Sequence, residues 1–316
     1  MKNYISINDL DSLKKTVQEA IDLKKNELQN KSLGEGRTIC LLFFNNSLRT
    51  RLSTQKAAQN LGMNVIVMNF GVEGWELEYE EGTIMNQNKS EHVKEAAKVI
   101  AQYCDIIAIR AFASLTDKEK DKAEIVINSF KKYAGIPVVN MESAIRHPLQ
   151  ALADAITMEE FKTSLKPKVV LSWAPHPKSL PHAVANSFIE MMQLQDTEFV
   201  ITHPEGYELD PEITKNSTIE YNQEKAFKNA DFVYVKNWSS FKDYGKVANT
   251  STDWMITAEK MKLTNKAKFM HCLPVRRNVI VADEVIDSEN SIVIQQAKNR
   301  TYAAQIVLKK ILENRD

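Results

Sequence analysis

Short, β-branched apolar runs alternate along this chain with longer amphipathic stretches. In the first half the runs at 38–44, 64–68, 105–110 and 137–140 read as strands, and in the second half those at 168–173, 198–202, 231–235, 268–271 and 291–294. Continuous apolar runs of this length fit strands buried on both faces. Between them, apolar positions three and four apart predict helices over 10–29, 50–61, 91–103, 117–133, 150–161, 182–192, 223–228 and 297–312. Strand–helix alternation of this kind predicts an α/β protein whose parallel sheets carry helices on both faces. Right-handed crossovers then place the functional loops at the carboxyl ends of the strands.

The length, 316 residues, corresponds to two domains at about 150 residues each. Lys plus Arg and Asp plus Glu both number 41, so the chain has no bulk attraction for nucleic acid or an anionic membrane. Three cysteines, Cys40, Cys104 and Cys272, have no paired spacing. That argues against a disulfide framework and for a reducing compartment. The opening MKNYISINDLDSLKK lacks the basic-then-apolar order of a secretory signal. No run reaches about 18 apolar residues, so the expected location is the cytoplasm.

One stretch departs from the alternation. Phe70–Gly82 carries five glutamates, three glycines and Trp75, and is expected to be a long, mobile, acidic loop with an aromatic at its tip. It is either a surface loop with a locally packed Trp75 or a functional lid.

Three segments carry chemistry. Phe43-Phe44-Asn45-Asn46-Ser47-Leu48-Arg49-Thr50-Arg51 runs from the end of a strand into a helix. The unpaired N–H groups of a helix start, two hydroxyls and the guanidinium forks of Arg49 and Arg51 suit an anion, phosphate above all. Taken alone, the segment is equally an ordinary helix start with solvated arginines. His147-Pro148-Leu149-Gln150 opens another helix, with His147 and Gln150 spaced to share a face as donors to a carbonyl oxygen; an isolated His-Pro pair is also a common helix cap. His271-Cys272-Leu273-Pro274 follows a strand that the proline stops. Cys272 has no base beside it in sequence and reads as a buried thiol unless placed otherwise. Arg110, at a strand end, needs a partner or an anionic ligand if it is buried. Neither G-x-G-x-x-G after a strand nor G-x-x-x-x-G-K-S/T occurs, which disfavours a nicotinamide dehydrogenase or nucleotide enzyme and favours a small phosphorylated substrate.

In this order, Ser47-Leu48-Arg49-Thr50-Arg51, His147-Pro148-Leu149-Gln150 and His271-Cys272-Leu273-Pro274 resemble the S-x-R-T-R, H-P-x-Q and H-C-L-P motifs of the aspartate/ornithine carbamoyltransferase superfamily. The resemblance implies two doubly wound parallel-sheet domains, a carbamoyl-phosphate domain over 1–145 and an amino-acid domain over 146–296. It also implies a C-terminal helix, 297–316, returning to the first domain, and a homotrimer with shared active sites. By the same carry-over, Ser47, Leu48, Arg49, Thr50, Arg110, His147, Gln150, Cys272, Leu273 and Arg300 hold carbamoyl phosphate, and Trp75 enters the neighbour's site. Arg110, His147, Gln150 and Cys272 are the expected catalytic residues. In the implied reaction a neutral amine attacks the carbonyl carbon and phosphate leaves a tetrahedral intermediate. Arg110, His147 and Thr50 face charge growing on the carbonyl oxygen, and Arg49 faces the phosphate. No cofactor and no metal are expected.

The acceptor is read from departures. Ornithine enzymes resemble Ala-Asp-x-Val-Tyr-Thr-Asp-x-Trp, whose second Asp faces the free α-ammonium; here the segment is Ala230-Asp231-Phe232-Val233-Tyr234-Val235-Lys236-Asn237-Trp238. A lysine there repels an ammonium and attracts a carboxylate or acyl oxygen, so the expected acceptor has a blocked α-amine. Asn140-Met141-Glu142 replaces Asn-Gly-Leu, and Glu142 is a candidate to orient the reactive amine. These changes, with the Trp75 loop and His176-Pro177-Lys178, resemble the branch acting on N-acetyl- and N-succinylornithine. Where acetyl enzymes resemble Glu-Glu-His-Ile, this chain has Ser90-Glu91-His92-Val93. Losing that glutamate removes charge and bulk that oppose a succinyl carboxylate. His176, Lys178, Lys236 and Arg276 are candidate partners for the carboxylate. N-succinylornithine is therefore the expected acceptor, with N-acetylornithine, or a binding protein without turnover, as alternatives.

Overall fold

The fold was analysed in a computed structural model that describes residues 1–247 and 251–314. The chain divides into two compact units, Met1–Ser114 with Glu119–Leu152 and Arg300–Asp316, and Leu115–Lys118 with Ala153–Asn299.

Strands are numbered in chain order. The first unit holds β1 (Thr38–Phe43), β2 (Asn64–Asn69), β3 (Leu77–Glu78), β4 (Glu91–His92), β5 (Ile106–Arg110) and β6 (Val138–Glu142). Its main sheet is parallel, in the order β2-β1-β5-β6. Five consecutive residues of β1 and all of β5 and β6 are buried, as helices on both faces require. The edge strand β2 exposes alternate residues at its start. Beside β6, Tyr4 bridges to Val139, so the N-terminal segment covers that edge. The C-terminal helix, Val293–Glu313, returns to this unit. Asn60 Nδ2 donates to Gln305 Oε1 at 2.9 Å, and Tyr302 Oη donates to Glu27 Oε2 at 3.0 Å.

The second unit holds β7 (Lys168–Ala174), β8 (Glu198–Thr202), β9 (Thr218–Glu220), β10 (Phe232–Asn237) and β11 (Lys268–Met270), all parallel, in the order β11-β10-β7-β8-β9. All six residues of β10 are buried. Its apolar core includes Val170, Phe227, Val233, Val235, Phe269 and Ile280. Each sheet reverses its strand order beside the first strand of its unit, and in such sheets ligands bind at carboxyl ends.

Several expected elements are corrected. No strand forms over 291–294. Ser291 makes one bridge to Phe269, and Val293 already begins the last helix. The segment 70–82 is not a plain loop: Phe70–Glu73 is helical and Leu77–Glu78 pairs with Glu91–His92. The expected helix over 117–133 breaks at Glu124, which adopts φ +48°, into Lys118–Lys122 and Ile125–Tyr133. Apolar periodicity begins only at Ile125, so the break has a local cause. The helix over 10–29 shortens to Leu13–Lys25. Cys40, Cys104 and Cys272 are free and buried, and no described helix is long and apolar enough to cross a membrane.

His182, before the helix Ala183–Met192, is buried against Tyr244 and Phe241. Burial lowers its pKa to about 4; Asp210 and the Ser240 backbone oppose the fall, and Lys118 adds to it. The unfolded imidazole titrates near 6.5, so the folded protein binds fewer protons below that pH. This contribution to stability is complete above pH 6.5 and is lost as pH falls toward 4, about 3 kcal/mol in all. The denaturation midpoint of His182→Gln should accordingly fall less between pH 6.5 and 4.5 than that of the unsubstituted protein. Parallel pH profiles for the two would remove His182 as the cause.

Candidate active site

The carboxyl ends of β1, β5 and β6 assemble a charged cluster in the first unit. Phe44 N bonds Arg110 O at 2.9 Å as the chain leaves β1. Arg110 Nη1 then donates to the carbonyls of Asn45 (3.0 Å) and Asn46 (2.5 Å), while Asn45 Oδ1 accepts from Phe112 N at 2.6 Å. These bonds fix the turn that delivers Ser47 and Leu48 to the helix Arg49–Asn60. Ser47 Oγ accepts from Thr50 N at 3.3 Å. Leu48 makes no side-chain cap and is largely exposed. The expected helix start is present, with Ser47 partly engaged by its own helix.

Arg110 is 6% exposed. Its Nε donates to Glu142 Oε2 at 3.1 Å, so of the two expected ways of meeting its charge, a partner or an anionic ligand, a protein carboxylate supplies the first. Burial lowers the Arg110 pKa; Glu142 opposes this, and the charge of Arg49 adds to it. The same Glu142 oxygen lies 3.5 Å from His147 Nε2. Arg300 Nη2 is 3.4 Å from that nitrogen and donates to Thr50 Oγ1 at 2.6 Å, while Arg300 Nη1 donates to Gln150 Oε1 at 2.5 Å. A proton on His147 Nε2 turns it toward Glu142; without one, the nitrogen accepts from Arg300. Arg110, Glu142, His147, Arg300, Thr50 and Gln150 thus form one continuous buried network. Arg49 stands beside it with its Nε buried and without a hydrogen-bond partner. Three guanidinium groups around one carboxylate leave an excess of positive charge in a shielded place, where an anion is attracted far more strongly than in water.

Trp75 and Ser90 lie just before the two strands of the piece β3–β4. Trp75 is 55% exposed, and its Nε1 donates to Glu91 Oε2 at 2.9 Å. Ser90 is exposed. Among the described residues, no hydrogen bond carries either one to the arginine cluster.

In the second unit β11 stops at Met270, so the last residues of β10 overhang it. Lys236 sits on that overhang opposite Trp173 and is 7% exposed. Among the described residues its ammonium has no hydrogen-bond or ion-pair partner. His176 follows β7. Its Nε2 accepts from Arg276 Nε at 3.2 Å, which leaves the proton on Nδ1, 2.7 Å from Lys178 O. Burial lowers its pKa, and the nearby charges of Arg276, Lys236 and Lys178 push the same way. The ring is thus a neutral spacer among three cations, and Trp238 Nε1 pins its backbone, donating to His176 O at 3.2 Å. His176, Lys178, Lys236 and Arg276 are gathered as expected, with Lys178 and Arg276 exposed.

Beyond β11, Cys272 is buried and Leu273 adopts φ +54° before a cis bond to Pro274. Leu273 N donates to His271 Nδ1 at 2.9 Å, and His271 N donates to Gln296 Oε1 at 3.0 Å, in turn held by Asp154. The sequence had offered neither Gln296 nor Asp154. It had also missed Asn45 and Glu124, whose roles come from residues 65 or more positions away in one case and from a backbone twist in the other. The Asn-Asn pair was a readable turn signal. Among the described residues no group of His, Cys, Asp and Glu has a metal-holding arrangement.

Sequence comparison matches residues 2–160 to the aspartate/ornithine carbamoyltransferase carbamoyl-P binding domain, and residues 181–311 to the Asp/Orn binding domain of the same family. An N-succinylornithine carbamoyltransferase of Bacteroides fragilis (strain 638R) is 52% identical over 99% of both chains. An N-acetylornithine carbamoyltransferase of Xylella fastidiosa (strain Temecula1) is 34% identical over 98% of both. Among solved structures, the chain resembles a glutamate-to-serine mutant of N-acetyl-L-ornithine transcarbamylase complexed with carbamyl phosphate and N-succinyl-L-norvaline. The TM-score is 0.92 and the identity 34%, over 98% of this chain and 100% of that one.

Proposed function

This chain belongs to the aspartate/ornithine carbamoyltransferase family, and we propose that its acceptor is N-succinyl-L-ornithine. The carbamoyl group of carbamoyl phosphate passes to the side-chain amine, giving N-succinyl-L-citrulline and phosphate, a step of arginine biosynthesis. Residues 1–145 with the C-terminal helix bind carbamoyl phosphate; residues 146–296 bind the acyl-ornithine.

In this reading Arg49, Ser47 and the helix start hold the phosphate and stabilise it as it leaves. Arg110, Thr50 and His147 oppose the charge that grows on the carbonyl oxygen when the amine attacks, and Gln150 and Arg300 hold them in place. Cys272 and Leu273 keep the carbamoyl-phosphate role that the family resemblance gives them. Glu142 fixes Arg110 and His147 and orients the incoming amine.

One observation carries the choice of acceptor. Lys236 is a buried residue whose ammonium has no partner among the described residues, in a segment where ornithine enzymes resemble an aspartate. A buried charge without a partner is costly, and the carboxylates of an N-succinylated amino acid supply one where a free α-ammonium cannot. Ser90 supports the succinyl group specifically. A serine in place of a glutamate is also the kind of change present in the transcarbamylase mutant that holds an N-succinyl ligand.

The test is product formation from carbamoyl phosphate with N-succinyl-, N-acetyl- and free ornithine side by side. N-succinylornithine should give the highest kcat/KM, and Ser90→Glu should move the preference toward the acetyl acceptor by about tenfold or more. Preference for either rival acceptor rejects the assignment, and an unchanged ratio in Ser90→Glu removes that position from specificity. The exposed Trp75 fits a homotrimer in which it reaches a neighbour's site. A monomer in sedimentation would remove that role.

A further inference from the structure

Glu124 belongs to none of the motifs, yet its carboxylate holds the turn beside the cluster. It occupies the break between the helices Lys118–Lys122 and Ile125–Tyr133, in the left-handed region at φ +48°, and is 7% exposed. Glutamate is disfavoured there, where asparagine or glycine sits more easily. A residue held against its conformational preference is retained by its surroundings, and here the surroundings are the turn between β6 and the helix Pro148–Phe161.

Glu124 Oε1 accepts from the Ser143 hydroxyl and from Ile145 N at 3.4 Å, and Glu124 Oε2 accepts from Arg146 Nη1 at 3.1 Å. The turn closes on itself through Ser143 N to Arg146 O at 2.7 Å, and Asn140 Nδ2 ties it back to β6 at Ser143 Oγ, 2.9 Å. The residue on one side of this turn is Glu142, and on the other His147. Their side chains meet at Glu142 Oε2, where Arg110 also arrives. The path of residues 143–146 therefore sets how far His147 stands from Glu142, and hence from Arg110 and Arg300.

We propose that Glu124 is a positioning residue for carbamoyl transfer: by clamping Ser143, Ile145 and Arg146 it fixes His147 and Glu142 in register with Arg110 and Arg300. The inference rests on the proposed carbamoyl-phosphate role of that cluster.

Glu124→Asn tests it, because asparagine tolerates the left-handed backbone but is too short to hold the turn; Arg146→Gln removes one of the clamped groups and leaves Glu124 in place. In the full chain, carbamoyl-phosphate binding is measured by calorimetry, beside kcat and both KM values. Glu124→Asn should remain folded, bind carbamoyl phosphate about tenfold more weakly and lose about tenfold in kcat, with the acyl-ornithine KM within about twofold. Arg146→Gln should show the same pattern at about two- to fivefold. A folded Glu124→Asn protein with unchanged affinity and kcat overturns the inference. Should that variant not fold, unchanged values in Arg146→Gln overturn it. If the unsubstituted protein binds no carbamoyl phosphate, the underlying reading falls as well; if it binds normally and the variants match it, only the role of Glu124 falls.

Discussion

Arg49→Ala is expected to lower kcat/KM for carbamoyl phosphate by about 10²–10³-fold, while changing folding stability by less than about 0.5 kcal/mol. The separation follows from what Arg49 does in the folded chain. It is half-buried, it has no carboxylate partner among the described residues, and its Nε is shielded with no acceptor for its N–H. Removing it leaves no protein group stranded. What is lost is a planar donor suited to phosphate, placed close enough to Arg110 for the two like charges to be felt. Arg110 would be a poorer probe, since it is one half of a buried pair with Glu142, and breaking a buried pair costs about 3–5 kcal/mol of stability. Measured together, kcat/KM and the denaturation midpoint decide the matter. Near-normal kcat/KM would show that Arg49 is a solvated helix-start residue and the turn no phosphate site.

Lys236→Met should raise the KM for N-succinylornithine by about 10²-fold or more, as expected for removing one partner of a desolvated charge pair, and should leave the carbamoyl-phosphate KM within about threefold. Methionine keeps the length and apolar stem, so packing on the overhanging end of β10 is preserved. Because Lys236 is buried and its ammonium has no partner among the described residues, the variant should be at least as stable as the unsubstituted protein. The two readouts thus move in opposite directions, which a general loss of structure cannot produce. An unchanged acceptor KM, or a loss of stability with affinity intact, would make Lys236 a structural lysine and remove the argument for a blocked α-amine.

The fold was largely legible because its strands are buried on both faces. β1, β5, β7 and β10 are continuous apolar runs that a single sequence announces, and their parallel pairing follows from the helices between them. Legibility failed where tertiary context outweighed local pattern. Residues 291–294 are apolar and β-branched enough to read as a strand, but only one bridge forms before the last helix takes over. The glutamate-rich stretch 70–82 looked structureless because its partner strand, Glu91–His92, is two residues long and lies 14 positions away in register.

The site was readable to a different degree. Arg49, Thr50, Arg110, His147, Gln150 and Arg300 were singled out by motif or by resemblance, and the first unit gathers all six. What motifs could not show was the wiring: that Glu142 bridges Arg110 and His147, that Arg110 braces the Asn45–Asn46 turn, and that Glu124 clamps the turn before His147. These contacts join residues up to 65 positions apart, and their energetic sense lies in burial, which composition does not record. Lys236 was the reverse case. Its sign was informative in sequence, and its burial, with no partner for the ammonium among the described residues, gives that sign a consequence.

Carbamoyl phosphate carrying ¹³C in its carbamoyl group, incubated with the protein and N-succinyl-L-ornithine and followed by nuclear magnetic resonance, tests the central claim most directly. The label should move into the ureido carbon of N-succinyl-L-citrulline, one equivalent for each phosphate released, and only when the acylated acceptor is present. Phosphate release without label in an acyl-citrulline, or label appearing equally well in citrulline from free ornithine, would contradict it.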